Sequence, residues 1–218
     1  MPVETIVDLR PQFGPARDQK QRPTCMAFAA SDGHAAARGS LEALSTEFAH
    51  FHAVRRRKPF NPHSGVAFAL MAQSILEDGQ PPESIWPYLS LLPPNLGDWK
   101  PPNSCSPIYR RHYRIEPAAI ERIYEYLRDS RPVVVTMTIS SSFYLPSSAG
   151  IITAGGKEPM TNSHAVVAVG YGKNQSSHLI LIRNSWGAGW GLQGHAWITE
   201  EYLKPRMLKI GTPDSKEV

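Results

Sequence analysis

The sequence predicts an α+β fold in which a helical lobe is followed by a β lobe, with a cleft between them. Three observations predict it. The first half carries helical patterns, each behind a plausible cap. The second half carries short β-branched or apolar runs separated by glycine, serine and asparagine. Between them, residues 80–107 hold eight of the twenty prolines, which denies that stretch regular structure and makes it an irregular crossing between the lobes.

The first helix is expected over residues 25–38. Pro23 keeps Arg22 extended and Thr24 is a reasonable N-cap, so the helix begins at or beside Cys25. The run "AFAASDGHAAA" is rich enough in small residues for the helix to be packed closely on several sides. A second helix spans about 45–57, opened by Ser45 with Glu47 close behind. A third spans about 64–78, from Ser64 to the stop at Gly79. In "EPAAIERIYEYLRDS", Ile120, Ile123, Tyr124 and Leu127 share one face of a short helix that ends before Pro132. Strands follow at 132–139, 164–171, 178–185 and 195–199. There is no internal repeat.

Composition narrows the classes. With 218 residues, 41% of them hydrophobic and 19% charged, the chain can bury a sizeable core and lies far from disordered or disulfide-scaffold proteins. A formal charge of +4 is too small to argue for nucleic acid. The one dense basic run, Arg55-Arg56-Arg57-Lys58, reads as a solvated face at a helix C-terminus. No apolar run approaches the ~18 residues of a membrane span, and Met1 to Phe13 lack the order of a secretory signal. Two cysteines allow at most one disulfide, which favours a reducing compartment: the expectation is a cytoplasmic protein, or one exported without a visible signal peptide.

Cys25 carries the chemistry. At a helix N-terminus, free N–H groups and the helix dipole favour thiolate, the nucleophilic form, although position alone suits a buried structural cysteine equally well. Of eight histidines, His50-x-His52 has no matching cysteine or carboxylate cluster, so neither a metal nor any other cofactor is expected. His164 opens the apolar strand "AVVAVGY", where a core histidine and a catalytic one remain alternatives. Asn184 ends the next strand and can accept from one imidazole nitrogen, leaving the other for the sulfur. The indole of Trp186 can shield that bond from water.

At four places in the same order the chain resembles the papain-like cysteine peptidases of the cathepsin clan. "DQKQRPTCMAFAA" is similar to that family's nucleophile segment, "SHAVVAVGYG" to its histidine strand, "LILIRNSWGAGWGLQGHAWI" to its asparagine-tryptophan strand and glycine loop, and "SIWPYLS" to the segment after its third helix. His164 follows Cys25 at the family's interval of roughly 130–150 residues, and Asn184 lies just beyond it. The resemblance covers about residues 3–198. It implies a single papain-like domain, with a helical lobe of about residues 11–107 and a barrel-like antiparallel β lobe of about 108–218 joined by residues 1–10.

By position, the resemblance implies Cys25 as nucleophile, His164 as general base and then acid, Asn184 as the group that orients the imidazole, and Gln19 as a donor to the oxyanion. Ser64 and Gly65 would lie along an extended substrate. Val66, Ala67, Thr136 and Ser163 would line a small, mostly apolar pocket for the second residue before the cut. The implied activity is that of a thiol endopeptidase. A transferase passing the acyl group to an amine, or a silent binding scaffold, are the alternatives.

The chain departs from the family at Arg22-Pro23-Thr24 and Met26, which replace Cys-Gly-Ser and an aromatic residue, so the disulfide usual in that loop cannot form. Pro23 is expected to stiffen the loop and Met26 to fill the aromatic's space. Cys105 is expected to be a free thiol at an exposed or boundary position. The resemblance begins almost at Met1, so either the family's inhibitory N-terminal extension has been removed or it never existed, in which case the chain looks more like the compact bacterial members. The expected partners are a peptide or protein substrate in extended conformation and a regulatory or inhibitor protein, with no nucleic acid and no membrane. The protein is expected to be a monomer.

Overall fold

Hydrophobic periodicity is realised as six helices and eight strands in a computed structural model that describes residues 2–155, 158–175 and 177–218. In chain order these are β1 (Glu4–Asp8), α1 (Cys25–Ala37), α2 (Thr46–Arg55), α3 (Phe68–Glu77), β2 (Tyr113–Pro117), α4 (Ile120–Arg128), β3 (Val133–Ile139), α5 (Ser141–Tyr144), β4 (Ile151–Ile152), β5 (Asn162–Lys173), β6 (His178–Arg183), β7 (His195–Thr199), α6 (Glu200–Leu203) and β8 (Met207–Pro213).

The small side chains of α1 let it be buried almost all round, from Met26 to Ala36. It packs on β5, β3 and β8 on one side and on α2 and α3 on the other. At Gly33 the sheet comes so near that an added Cβ would stand 2.9 Å from the Tyr113 hydroxyl. A second, smaller core of Phe48, Phe51, Val54, Trp86 and Trp99 ties α2 to the proline-rich segment, which is irregular apart from one short 3-10 turn at Leu96–Asp98.

One helix cap and one helix start differ from the sequence reading. Ser45 caps α2, its Oγ accepting from the Phe48 N–H at 3.1 Å. Thr24 does not cap α1: its hydroxyl shares a 2.9 Å hydrogen bond with that of Tyr88 instead. And α3 starts at Phe68 rather than Ser64, because Ala67 is extended at φ −68°, ψ 150°, so that residues 64–67 lie ahead of the helix.

The sheet order is β2-β8-β3-β5-β6-β7-β4, with β1 added to the far end of β5. All neighbours are antiparallel except β4 and β7, which are parallel. The sheet is therefore open, with β2 and β4 as its edges, and is not the closed barrel-like layer the resemblance suggested. Strand β5 bends where its register with β6 shifts between Ala168 and Gly170. Beyond that bend β1 comes so near that a Cβ on Gly170 would lie 2.4 Å from the Val7 carbonyl oxygen.

Helix α1 and the sheet are locked by charge as well as packing. Asp32 of α1 accepts from Arg183 at the end of β6 at 2.7 Å and from Arg17 at 2.8 Å. Burial alone would raise the Asp32 carboxyl, but these two guanidinium groups hold it below the usual carboxylate range. The strand end that carries Asn184 is thus fastened to the helix that carries Cys25.

Candidate active site

Cys25 is the first residue of α1 and is a free, half-buried thiol. The loop before it is held from several directions. Residues 17–19 run antiparallel to 185–187, with Gln19 N donating to the Ser185 carbonyl at 2.8 Å and Gly187 N to the Arg17 carbonyl at 3.0 Å. The Gln19 side chain is buried. Its Oε1 accepts from Ser185 Oγ at 2.6 Å, and its Nε2 donates to the Arg22 carbonyl at 2.8 Å, which spends one of the two amide protons and leaves the other.

At Arg22, where the resemblance led one to expect a disulfide-bonded cysteine, this chain has a buried ion pair. Arg22 Nη1 and Nη2 donate to the two carboxylate oxygens of Glu47 at 2.6 and 3.0 Å, and Nη1 also donates to the Leu89 carbonyl. The Glu47 oxygens further accept from Trp99 Nε1 at 2.6 Å and from Leu89 N at 3.0 Å, so every lone pair that the guanidinium leaves has a donor in place. The sequence reading missed this pair, since residues 22 and 47 share no local pattern.

His164, near the start of β5, is buried between rings. Trp186 lies 4.9 Å away, tilted by 38°, and Phe143 of α5 meets it edge-on at 5.4 Å. Tyr144 stacks on the outer side of Trp186. His164 Nε2 stands 2.7 Å from Asn184 Oδ1, which also accepts from Ser185 N at 2.8 Å. An oxygen that already accepts is best met by a donor, so Nε2 carries the proton and Nδ1 of the neutral ring is left as the acceptor.

Burial sets the protonation of both groups. It pushes the Cys25 thiol up, against backbone N–H groups of Ala165, Met26 and Cys25 itself that pull it down. It lowers His164 to about 4, with the Asn184 hydrogen bond opposing the shift. Both shifts favour the uncharged thiol and the uncharged imidazole. The Ala165 N–H facing the sulfur places Cys25 against the residue that follows His164 in β5.

Both residues line one cavity of about 420 Å³. Of the predicted substrate residues, Gly65, Val66, Ala67, Thr136 and Ser163 line it too. Ser64, Trp186, Gln19 and Asn184 do not. The sequence reading missed Pro23, Met26 and Phe68 there, and above all Leu208 and Lys209 of β8. The two histidines of His50-x-His52 diverge: His50 packs against the Trp99 ring, and His52 lies 3.2 Å from Asp78. The basic run is only partly a solvated face, since Arg56 pairs with Glu77 and Asp78 and Arg57 donates to the Gly65 carbonyl at 3.1 Å.

The chain is 27% identical over 204 residues to digestive cysteine proteinase 2 of Homarus americanus, an alignment covering 89% of this chain and 61% of that protein. It is 45% identical over 67 residues to cysteine proteinase 2 of Zea mays, covering 30% of this chain and 18% of the relative. The chain thus spans less than two thirds of the length of these relatives. Among solved structures, xylellain, a cysteine protease from Xylella fastidiosa, superimposes with a TM-score of 0.82 at 22% identity, covering 97% of this chain and 86% of that one. The family model described as papain family cysteine protease matches residues 99–210, more than half of the chain and the half that contains His164 and Asn184. On that match and the papain-like fold, the chain belongs to the papain family of cysteine proteases.

Proposed function

We propose that this protein hydrolyses peptide bonds with Cys25 as nucleophile and His164 as the acid-base group. The observation that carries the reading is the Nε2 to Oδ1 bond of 2.7 Å between His164 and Asn184, which leaves Nδ1 basic on a ring that shares its cavity with the sulfur. His164 Nδ1 takes the thiol proton as Cys25 Sγ attacks the substrate carbonyl carbon. Asn184 then holds the imidazolium by the same bond, and Trp186 and Phe143 keep water from it.

Charge develops on the carbonyl oxygen, where the backbone N–H of Cys25 and the remaining Gln19 Nε2 proton are the donors. The C–N bond breaks as His164 returns its proton to the leaving amine, giving a thioester. Water attacks that carbonyl and loses a proton to His164. The acid departs, and the proton returns to Cys25 Sγ. The substrate backbone lies extended beside Gly65, whose lack of a side chain allows the approach.

Iodoacetamide at mildly acidic pH should label Cys25 far faster than Cys105, and a random peptide library should be cleaved by the wild type and left intact by Cys25→Ala. Slow, equal labelling of both cysteines, or a library cut equally by both proteins, would remove this reading.

A further inference from the structure

The cavity beside Cys25 is apolar over most of its wall, as the sequence reading expected, but that reading placed no charge in it. Strand β8 changes that. Lys209 lies opposite Thr136 in the β3–β8 register, and the two are joined by bonds in both directions: Lys209 N donates to Thr136 Oγ1 at 2.9 Å, and Thr136 Oγ1 donates to the Lys209 carbonyl at 3.1 Å. Residues directly opposite in an antiparallel pair point to the same face.

Two neighbours fix which face that is. Val134, two before Thr136, is the residue that approaches Gly33 of α1. Gly211, two after Lys209, is so near Phe68 of α3 that a Cβ there would lie 2.6 Å from its ring. Side chains two apart on a strand share a face, so Lys209 projects towards the helical lobe and into the cleft. Because β8 is interior, flanked by β2 and β3, the lysine has no lateral edge to turn to.

Among the described residues the lysines in ion pairs are Lys20, Lys173 and Lys204, and Lys209, which is exposed, is in none of them. The nearest carboxylate by register is Glu116, which sits opposite Ile210 and therefore on the other face, where it is held by Arg122 and Tyr126. Among the described residues that line the cavity there is no carboxylate. On the opposite lip Arg57 donates to the Gly65 carbonyl, adding a second cation beside the path of the substrate backbone.

We propose that Lys209 selects substrates with an acidic side chain, glutamate above all, at the residue that enters this cavity. The stem packs against Val66 and Phe68 while the carboxylate meets the ammonium of Lys209. The proposal rests on the hydrolytic reading for its readout, but the binding it describes does not require turnover. A cavity with a mostly apolar wall, two hydroxyls and one lysine outside any described ion pair favours a partner that supplies both an apolar stem and an anion, because neutral polar side chains would leave the lysine unmatched.

The test uses quenched peptides that differ only at the second residue before the bond, as Glu, Leu or Lys. With the wild type, the Glu peptide should exceed the Leu peptide by about tenfold in kcat/KM, the ratio that about 1.4 kcal/mol supplies, and the Lys peptide should be poorest. Lys209→Ala should level Glu with Leu, and Lys209→Glu should reverse the order towards Lys. The same peptides are titrated by calorimetry into Cys25→Ala, where Glu should again bind tightest. Cys25-dependent cleavage with Leu preferred, or a preference unchanged in Lys209→Glu, overturns the role of Lys209. Glu-selective binding without cleavage by the wild type overturns the hydrolytic reading alone and leaves this one standing.

Discussion

Arg22 and Glu47 face each other through two N–H to O contacts of 2.6 and 3.0 Å, with the arginine 7% exposed and the glutamate not at all. The Arg22 carbonyl in turn receives Gln19 Nε2, so a pair buried in the helical lobe fixes the side chain proposed above as a donor to the oxyanion. Breaking one side of such a pair strands a charge in the interior. Glu47→Gln should therefore lower unfolding stability by about 3–5 kcal/mol, whereas Arg22→Met combined with Glu47→Leu should recover most of it. Urea denaturation of the three variants measures this, and a single variant as stable as the wild type would show the pair to be idle.

Gln19 is held by Ser185 and Arg22. Gln19→Ala should raise the barrier by about 2.7–4 kcal/mol, a loss of about 10²–10³ in kcat. The rate at which iodoacetamide labels Cys25 should stay near the wild-type value, because the sulfur and imidazole are untouched. Loss of labelling together with kcat would assign Gln19 to the nucleophile's environment instead.

Burial keeps the His164 ring neutral down to about pH 4. Base function is present above that value and is lost as pH falls through it, so kcat/KM should be level from about pH 7 to 5 and then decline. An acid limb centred near 6.5, the value of an unburied histidine, would mean that the ring is solvated during turnover.

Four histidines share this fate: His34, His164 and His195 are lowered to about 4 and His50 to about 3, each chiefly by burial. Between those values and the unfolded value of 6.5 only the unfolded chain binds the protons. Stability is therefore full above pH 6.5 and falls as pH drops, by about 1.4 kcal/mol per pH unit for each histidine and roughly 5 for the four. Thermal melts should lose ~10–20 °C per pH unit below 6.5. His50→Leu should make that decline shallower, and an unchanged slope would show that His50 takes up its proton in the folded state.

The elements that carry Cys25, His164 and Asn184 were legible because each has a local signal: a proline that forbids helix before α1, an apolar run behind His164, and the end of a β-branched strand at Asn184. What escaped is set by contacts between distant segments. Thr24 looked like a cap, but the Tyr88 hydroxyl took its side chain. The start of α3 was misplaced because Ser64 has the chemistry of a cap, while residues 64–67 lie ahead of the helix. Strand β8 was missed because "MLKIGTP" holds a glycine and a proline, which argue against an interior strand. Gly211 is there because Phe68 leaves no room for a side chain, and no stretch of sequence near 211 announces a ring from residue 68.

The place of β8 between β2 and β3 governs how the molecule comes into being. Tyr113 pairs with Pro213 and Thr136 with Lys209, so the middle of the sheet stays unjoined until the ribosome has released the chain well past residue 213. Cys25 is made early, and the β8 wall of the cavity it lines is made late.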